Sequence, residues 1–345
     1  MATVAEKGSA ARPAGDGGGL GGLLQPVLHL VPNLLEPPMR WLQRTLGPNR
    51  IAWVFLAPNL IIFGLFTFLP ILLNVGYAVT GGENILLRDR ALVGGDNFAT
   101  LLTCESYADP GTCRNDLFWR SVYNTGLFVL LQVTSMVRVS LLTAVVLNRD
   151  IRARGFFRAV FFYPVLLSPV VVALVWKWIL QRDGVLNGWF VGLGWEPVNW
   201  LLDANSAFLW IVAISVWAHM GFYTLILLAG LQAIPRDVYE AAEMDSASPW
   251  RSFSRITLPL LMPNLLVVLV LALIKGVQTF DEVFVLTGGG PGSATLFVIQ
   301  FIYETGFAAQ PRLPGLAAAA SILLAVILMA LTLVQLRLNR RGYGG

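Results

Sequence analysis

Residues 208–231 read FLWIVAISVWAHMGFYTLILLAGL, and this stretch decides the fold. The run contains no Asp, Glu, Lys or Arg. At about 1.5 Å per residue, a helix of this length clears the ~30 Å hydrocarbon layer of a bilayer. No water reaches a backbone N–H or C=O there, so a lone run must pair its own, and only a helix does that. Five further runs of the same kind flank it, at about 52–79, 122–147, 156–180, 264–286 and 316–336. Each is near the roughly 20 residues that a crossing takes. The expected fold class is therefore all-α, a polytopic membrane protein with six transmembrane helices. Pro70, Pro164 and Pro169 are expected to kink their helices or mark points of re-entry.

Composition agrees. Of the 345 residues 56% are hydrophobic and only 13% charged, with a mean hydropathy of +0.68. A soluble domain has about a quarter of its residues charged. The net charge of +4 rests on arginine; lysine occurs only at Lys7, Lys177 and Lys275. The arginines sit in short loops rather than along one soluble face, which speaks against nucleic acid as a partner. One set of loops holds Arg40, Arg44 and Arg50, then Arg149, Arg152 and Arg154, then Arg236, Arg251 and Arg255, and last Arg337, Arg340 and Arg341. The opposite set holds fewer: Arg88, Arg90, Arg114, Arg120, Arg182 and Arg312. Loops rich in basic residues stay in the cytoplasm, so both termini are expected there, as an even number of spans requires.

Residues 1–50 read as a separate cytoplasmic segment, and residues 51–345 as the transmembrane domain. Up to Gly22 the chain is Ala/Gly-rich, too poor in apolar residues to form a core, and is expected to be disordered. From Leu23 to Leu46, Leu, Val and Trp alternate with Pro26, Pro32, Pro37 and Pro38. Such a stretch suits broken amphipathic turns lying on the inner membrane surface, in contact with lipid. A signal peptide is not expected, because Arg40, Arg44 and Arg50 follow the Leu-rich part rather than precede it. The loop 80–119 falls outside the cell and carries Cys104 and Cys113, with the turn Asp109-Pro110-Gly111 between them. In that oxidising compartment a disulfide is the expected state; two free thiols are the alternative.

The loop 233–262, between the fourth and fifth runs, carries IPRDVYEAAEMDSASPWRSFSRITLP over residues 234–259. Its chemistry reads as two short helices with a break. Pro235 and Asp237 suit a helix start, and Ala241 and Ala242 allow close approach of another surface. Ser248 suits the cap of a second helix, with Pro249 at its first position. Phe253, Ile256 and Leu258 give that helix an apolar face, and Pro259 is expected to end it before the next span.

Glu240, Ala241, Ala242, Asp245, Ala247, Phe253, Ile256, Leu258 and Pro259 resemble the EAA loop of ABC importer permeases. Phe280-Asp281-Glu282 through Thr287-Gly288-Gly289-Gly290-Pro291 is similar to the end of the fifth span in maltose-type sugar permeases. So are Arg154-Gly-Phe-Phe-Arg158, Tyr163-Pro164, Ser168-Pro169 and Gly184-Val-Leu-Asn187. The resemblance covers about Ala52 to the end. It implies a type I ABC importer permease fold in the bacterial inner membrane, importing a sugar that an extracytoplasmic solute-binding protein delivers. It also implies a second homologous permease and two ATP-binding subunits. The loop would then be a coupling helix docked on an ATPase subunit through Glu240, Ala241, Ala242, Asp245, Ser246, Ala247 and Pro259. One position departs: Ser246 stands where the family has Gly. If that turn is left-handed, Ser costs about 1 kcal/mol there.

No cofactor, metal site or enzymatic activity is expected. Lys7, Lys177 and Lys275 lie in no phosphate-binding loop, so ATP hydrolysis falls to separate subunits. His29 and His219 lack companions for a metal site, and His219 reads as a packed or pore-facing polar residue. In span five, Lys275, Gln278, Thr279 and Glu282 recur at spacings of three and four and share one helix face. They read either as a substrate path or as hydrogen-bonding contacts to a partner helix. The resemblance implies sugar contacts at Lys275, Gly276 and Thr279, and near Gly221 and Tyr223 in span four; Ala272 occupies an earlier contact position. Arg138, near the centre of span two, would pair with a carboxylate, join the path or meet a partner subunit. With Lys275 it leaves open an anionic substrate, an acidic sugar or a glycerol phosphate. Lys177, between Trp176 and Trp178, reads as an interfacial anchor. An ion-driven secondary transporter is the rival class; it needs intramembrane carboxylates, for which only Asp281 and Glu282 qualify.

Overall fold

The computed structural model describes residues 47–342. The disorder expected up to Gly22 and the interfacial turns expected over residues 23–46 lie outside them. Contacts within the chain group it into two units, Met1–Leu72 and Leu73–Gly345.

In the first unit, α1 (Pro48–Phe63) passes through a π turn at Gly64–Phe68 into the start of α2 (Leu69–Ala78). Pro70 has no N–H and its ring crowds the carbonyl four residues back. The widened π turn, closed by the Leu69 N–H on the Gly64 carbonyl, absorbs that defect. Phe66 and Leu72 are among this span's exposed side chains.

After the rest of α2, the second unit continues into a short hairpin. β1 (Thr80–Gly81) pairs antiparallel with β2 (Ala91–Leu92). Buried Arg90 ties the hairpin: it donates to the Thr80 hydroxyl (2.9 Å) and to the carbonyls of Thr80, Gly82 and Asn84. Burial lowers its pKa from the ordinary value. After α3 (Asp96–Leu102), Cys104 and Cys113 are joined by a disulfide that closes the loop bearing the Asp109–Gly111 turn. Asn115 then caps α4 (Asp116–Asn148) by accepting from the Phe118 N–H.

The core is α4 packed on α8 (Ala204–Gln232) and on α11 (Leu258–Val277). Phe128, Met136 and Ala144 meet Ile211, Leu227, Leu261 and Val268. Helices in lipid gain little from hydrophobic exclusion and pack through small residues and interhelical hydrogen bonds. Gly230 shows this: a Cβ there would stand 2.6 Å from Asn264 and 2.8 Å from Leu261. Ser140 donates across to the Met220 carbonyl. α8 is the most enclosed span, with 67% of its apolar window buried, which explains why its sequence is apolar all round. The last span, α14 (Pro314–Gly342), runs slightly beyond its expected limits.

The third span bends where Pro164 and Pro169 were expected to kink it, and the fifth is corrected. α5 (Arg154–Phe162) and a 3-10 turn (Tyr163–Leu166) meet α6 (Pro169–Leu180) at a 99° bend, and α7 (Val185–Gly192) follows. Pro164 and Pro169 lack the donors that would carry a helix through. The fifth is shifted. α10 (Pro249–Ser252) continues through a π turn, Phe253–Thr257, into α11, so Pro259 does not end the loop helix. The Leu258 N–H bonds the Phe253 carbonyl, and the widened turn accommodates the proline ring. At its other end α11 stops at Val277, and α12 (Asp281–Leu286) starts anew after a break at Gln278–Phe280. Thr279 turns its hydroxyl onto the Lys275 carbonyl there, competing with the helix ladder. α13 (Val298–Tyr303) lies between that break and α14.

Candidate functional site

The loop between α8 and α11 is built from local chemistry. α9 (Arg236–Met244) ends at Asp245, and Ser246 follows at φ +54°. The Ala247 N–H bonds the Ala242 carbonyl and the Ser246 N–H bonds the Glu243 carbonyl, which is a Schellman cap with Ser in the position glycine favours. The turn is therefore left-handed, with the strain Ser brings. Ser248 caps α10 by accepting from the Arg251 N–H, with Pro249 first in the helix. The Tyr239 hydroxyl meets the Thr257 hydroxyl at 3.0 Å and pins α9 against the following helix. Glu240, Ala241, Asp245 and Ser246 are exposed, Ala242 and Ala247 half-buried, and Pro259 exposed. Met244 and Trp250, at 86% and 74% exposure, flank them and were not singled out from the sequence. A hollow of about 600 Å³ lies beneath, lined by Asn148, Arg149, Tyr239, Glu243, Phe253 and Thr257 among others.

The second locus lies at the break in span five. Buried Glu282 sits 3.6 Å from Lys275 Nζ and 3.5 Å from His219 Nε2. His219 Nδ1 lies 2.9 Å from the Ser215 carbonyl one turn back on α8. The break after α11 makes this possible, by bringing the first turn of α12 back toward Lys275. Gly276 leaves space for Gln132 of α4, whose Oε1 would stand 3.0 Å from a Cβ there. Both polar atoms of Gln132 and both carboxylate oxygens of Glu282 are buried without a hydrogen bond among the described residues. Buried polar atoms in that state suit hydroxyl-bearing ligands, which both donate and accept.

Of the residues expected on a substrate path, the structure brings together Lys275, Gly276 and Glu282. Thr279 is buried and bonded to its own helix, and Gln278 is exposed. Gly221 and Tyr223 are buried in helix packing; a Cβ on Gly221 would stand 2.1 Å from the Phe161 carbonyl oxygen. Arg138 is exposed and forms no ion pair among the described residues. Lys177 is not only an anchor, since it donates to the Val285 carbonyl of α12 at 2.9 Å. Reading the sequence missed Gln132 and the pairing of His219. Gln132 was visible as a lone amide in an apolar run. The pairing was not, because Glu282 is distant in sequence and reaches His219 only through the break.

Comparison with known proteins gives a concordant result. Residues 136–342 match the family described as binding-protein-dependent transport system inner membrane component. The chain is 33% identical to the trehalose/maltose transport system permease protein MalF of Thermococcus litoralis, over 84% of this chain and 94% of that one. It is 32% identical to the sn-glycerol-3-phosphate transport system permease protein UgpA of Agrobacterium fabrum, over 86% and 97%. Its fold matches a chain in the crystal structure of a bacterial ABC transporter involved in the import of the acidic polysaccharide alginate. The TM-score is 0.72 at 24% identity, covering 87% of this chain and 98% of that one.

Proposed function

The chain belongs to the binding-protein-dependent transport system inner membrane components, and from that premise we propose that it forms half of the translocation path of an ATP-driven sugar importer. It would work with a second homologous permease, two ATP-binding subunits and an extracytoplasmic solute-binding protein, in the inner membrane with both termini in the cytoplasm. The observation that carries this reading is the loop at α9 and α10. It presents Glu240, Ala241, Met244 and Trp250 outward between two spans, a small-residue helix face with apolar flanks suited to a groove on another protein. The same loop runs unbroken through α10 and α11 to Val277. A displacement at Pro249 is therefore delivered along one helix to Lys275.

The polar cluster supports a neutral sugar as substrate. Glu282 answers the charge of Lys275, and Arg138 takes no part in the cluster. The opposite reading, an anionic sugar or glycerol phosphate, rests on the relative named for sn-glycerol-3-phosphate. Competition of labelled maltodextrin uptake by unlabelled glycerol phosphate or uronic acids separates the two.

The coupling claim is tested by Glu240→Arg with Ala241→Trp in the intact transporter. Uptake and transport-coupled ATP hydrolysis fall at least tenfold while the chain remains in the membrane. Unchanged uptake would refute it. Ion-gradient-driven transport by this chain alone in proteoliposomes would refute the importer reading itself.

A further inference from the structure

Several ionisable side chains within the second unit's spans find partners in the chain. Lys177 donates to a carbonyl, and Lys275 and His219 face Glu282. Arg138 does not. It stands in the middle of α4, exposed, with neither an ion pair nor a hydrogen bond among the described residues. The opposite faces of α4 are taken up by α8 and α11. Leu130, Thr134, Arg138, Leu142 and Val146 recur every four residues along a ridge that turns about 40° per step, so Thr134, Arg138 and Leu142 share one outward face. Leu130, Leu142 and Val146 are 64%, 67% and 53% exposed. Arg149, at the helix end, lies about 16 Å further along the axis, beyond the reach of an arginine side chain from position 138.

Three media are available to this face. Hydrocarbon offers a guanidinium no acceptor. A water lane requires more polar lining than this face supplies: beside Arg138 only Thr134 and Ser135 are polar, and the Thr134 hydroxyl is spent on the Leu130 carbonyl. Protein fits both features, the leucine-rich surface and the isolated cation, provided it brings an anion to the same depth. A carboxylate is the matching group, because guanidinium and carboxylate bond through two parallel N–H···O contacts.

We propose that the α4 face from Thr134 to Leu142 is buried by a membrane helix of the second permease chain, which presents an Asp or Glu carboxylate to Arg138. This rests on the assembly proposed above, and the test separates the two. The transporter is purified from membranes through a tag on this chain, with the photo-reactive residue p-benzoylphenylalanine at position 142. The expected adduct joins this chain to the second permease. Arg138→Met lowers recovery of the second permease at least tenfold, Arg138→Lys retains most of it, and Arg138→Glu is rescued by an acidic-to-basic change in the partner. Adducts only to lipid or to another copy of this chain overturn the inference. So does alkylation of Arg138→Cys by a water-soluble maleimide at the rate of a loop cysteine, or wild-type recovery with Arg138→Met. Should Arg138→Met fail to accumulate, the adduct at position 142 still decides. Absence of any second permease from the unmodified complex would instead overturn the proposed assembly.

Discussion

Ser246 concentrates the residue-scale argument. Its φ of +54° is forced by the Schellman cap that ends α9, and a side chain there crowds the backbone. Ser246→Gly is expected to raise stability by about 1 kcal/mol, read as a higher thermal midpoint in detergent. No change, or a fall, would mean the hydroxyl or the stiffness of Ser contributes more than the strain costs. Glu282 is the second case. Removing one partner of a buried pair strands the other charge at a cost of about 3–5 kcal/mol, less here because Lys275 is a third exposed. Glu282→Met alone is expected to destabilise by about 2 kcal/mol, and the double variant with Lys275→Met by less than either single change. Additive losses would show that the two side chains do not interact.

At the scale of elements, breaks rather than uninterrupted helices decide which polar side chains meet. The break at Gln278–Phe280 brings Glu282 to Lys275 and His219, and the 99° bend after α5 sets the chain beside α8. Gly221 fixes that second contact, since the Phe161 carbonyl oxygen would stand 2.1 Å from a Cβ there. Gly221→Ala is therefore expected to push α5 from α8 and cost about 2–3 kcal/mol, with the loss visible as earlier thermal unfolding. An unaltered midpoint would show that the helices part at no cost. The π turns before Pro70 and Pro259 make the complementary point. Each lets a helix continue through a residue whose missing donor should have stopped it.

For the whole molecule the open quantity is orientation. Basic loops alternate with loops poorer in arginine, and the disulfide lies in one of the latter. With Cys104 and Cys113 replaced by Ser, a single cysteine at Asp150 is expected to react with a membrane-impermeant maleimide only after the cells are opened. One at Asn84 is expected to react in intact cells. The reverse pattern would invert the topology and move the α9 loop away from any cytoplasmic ATPase.

The number of apolar runs, their helical state and the loop between the fourth and fifth were legible in the sequence, because hydrophobic length and cap chemistry are local properties. Ser248 and Pro249 start a helix wherever they stand, and a run such as 208–231 has no stable state in lipid but a helix. Tertiary structure alone decided where helices bend and which polar residues meet. Pro259 looked like a terminator until the π turn absorbed it, and His219 looked solitary until the break in span five brought Glu282 to 3.5 Å. Such pairings depend on the fold of distant segments, and Arg138 stands apart only once the faces of α4 that pack on α8 and α11 are known.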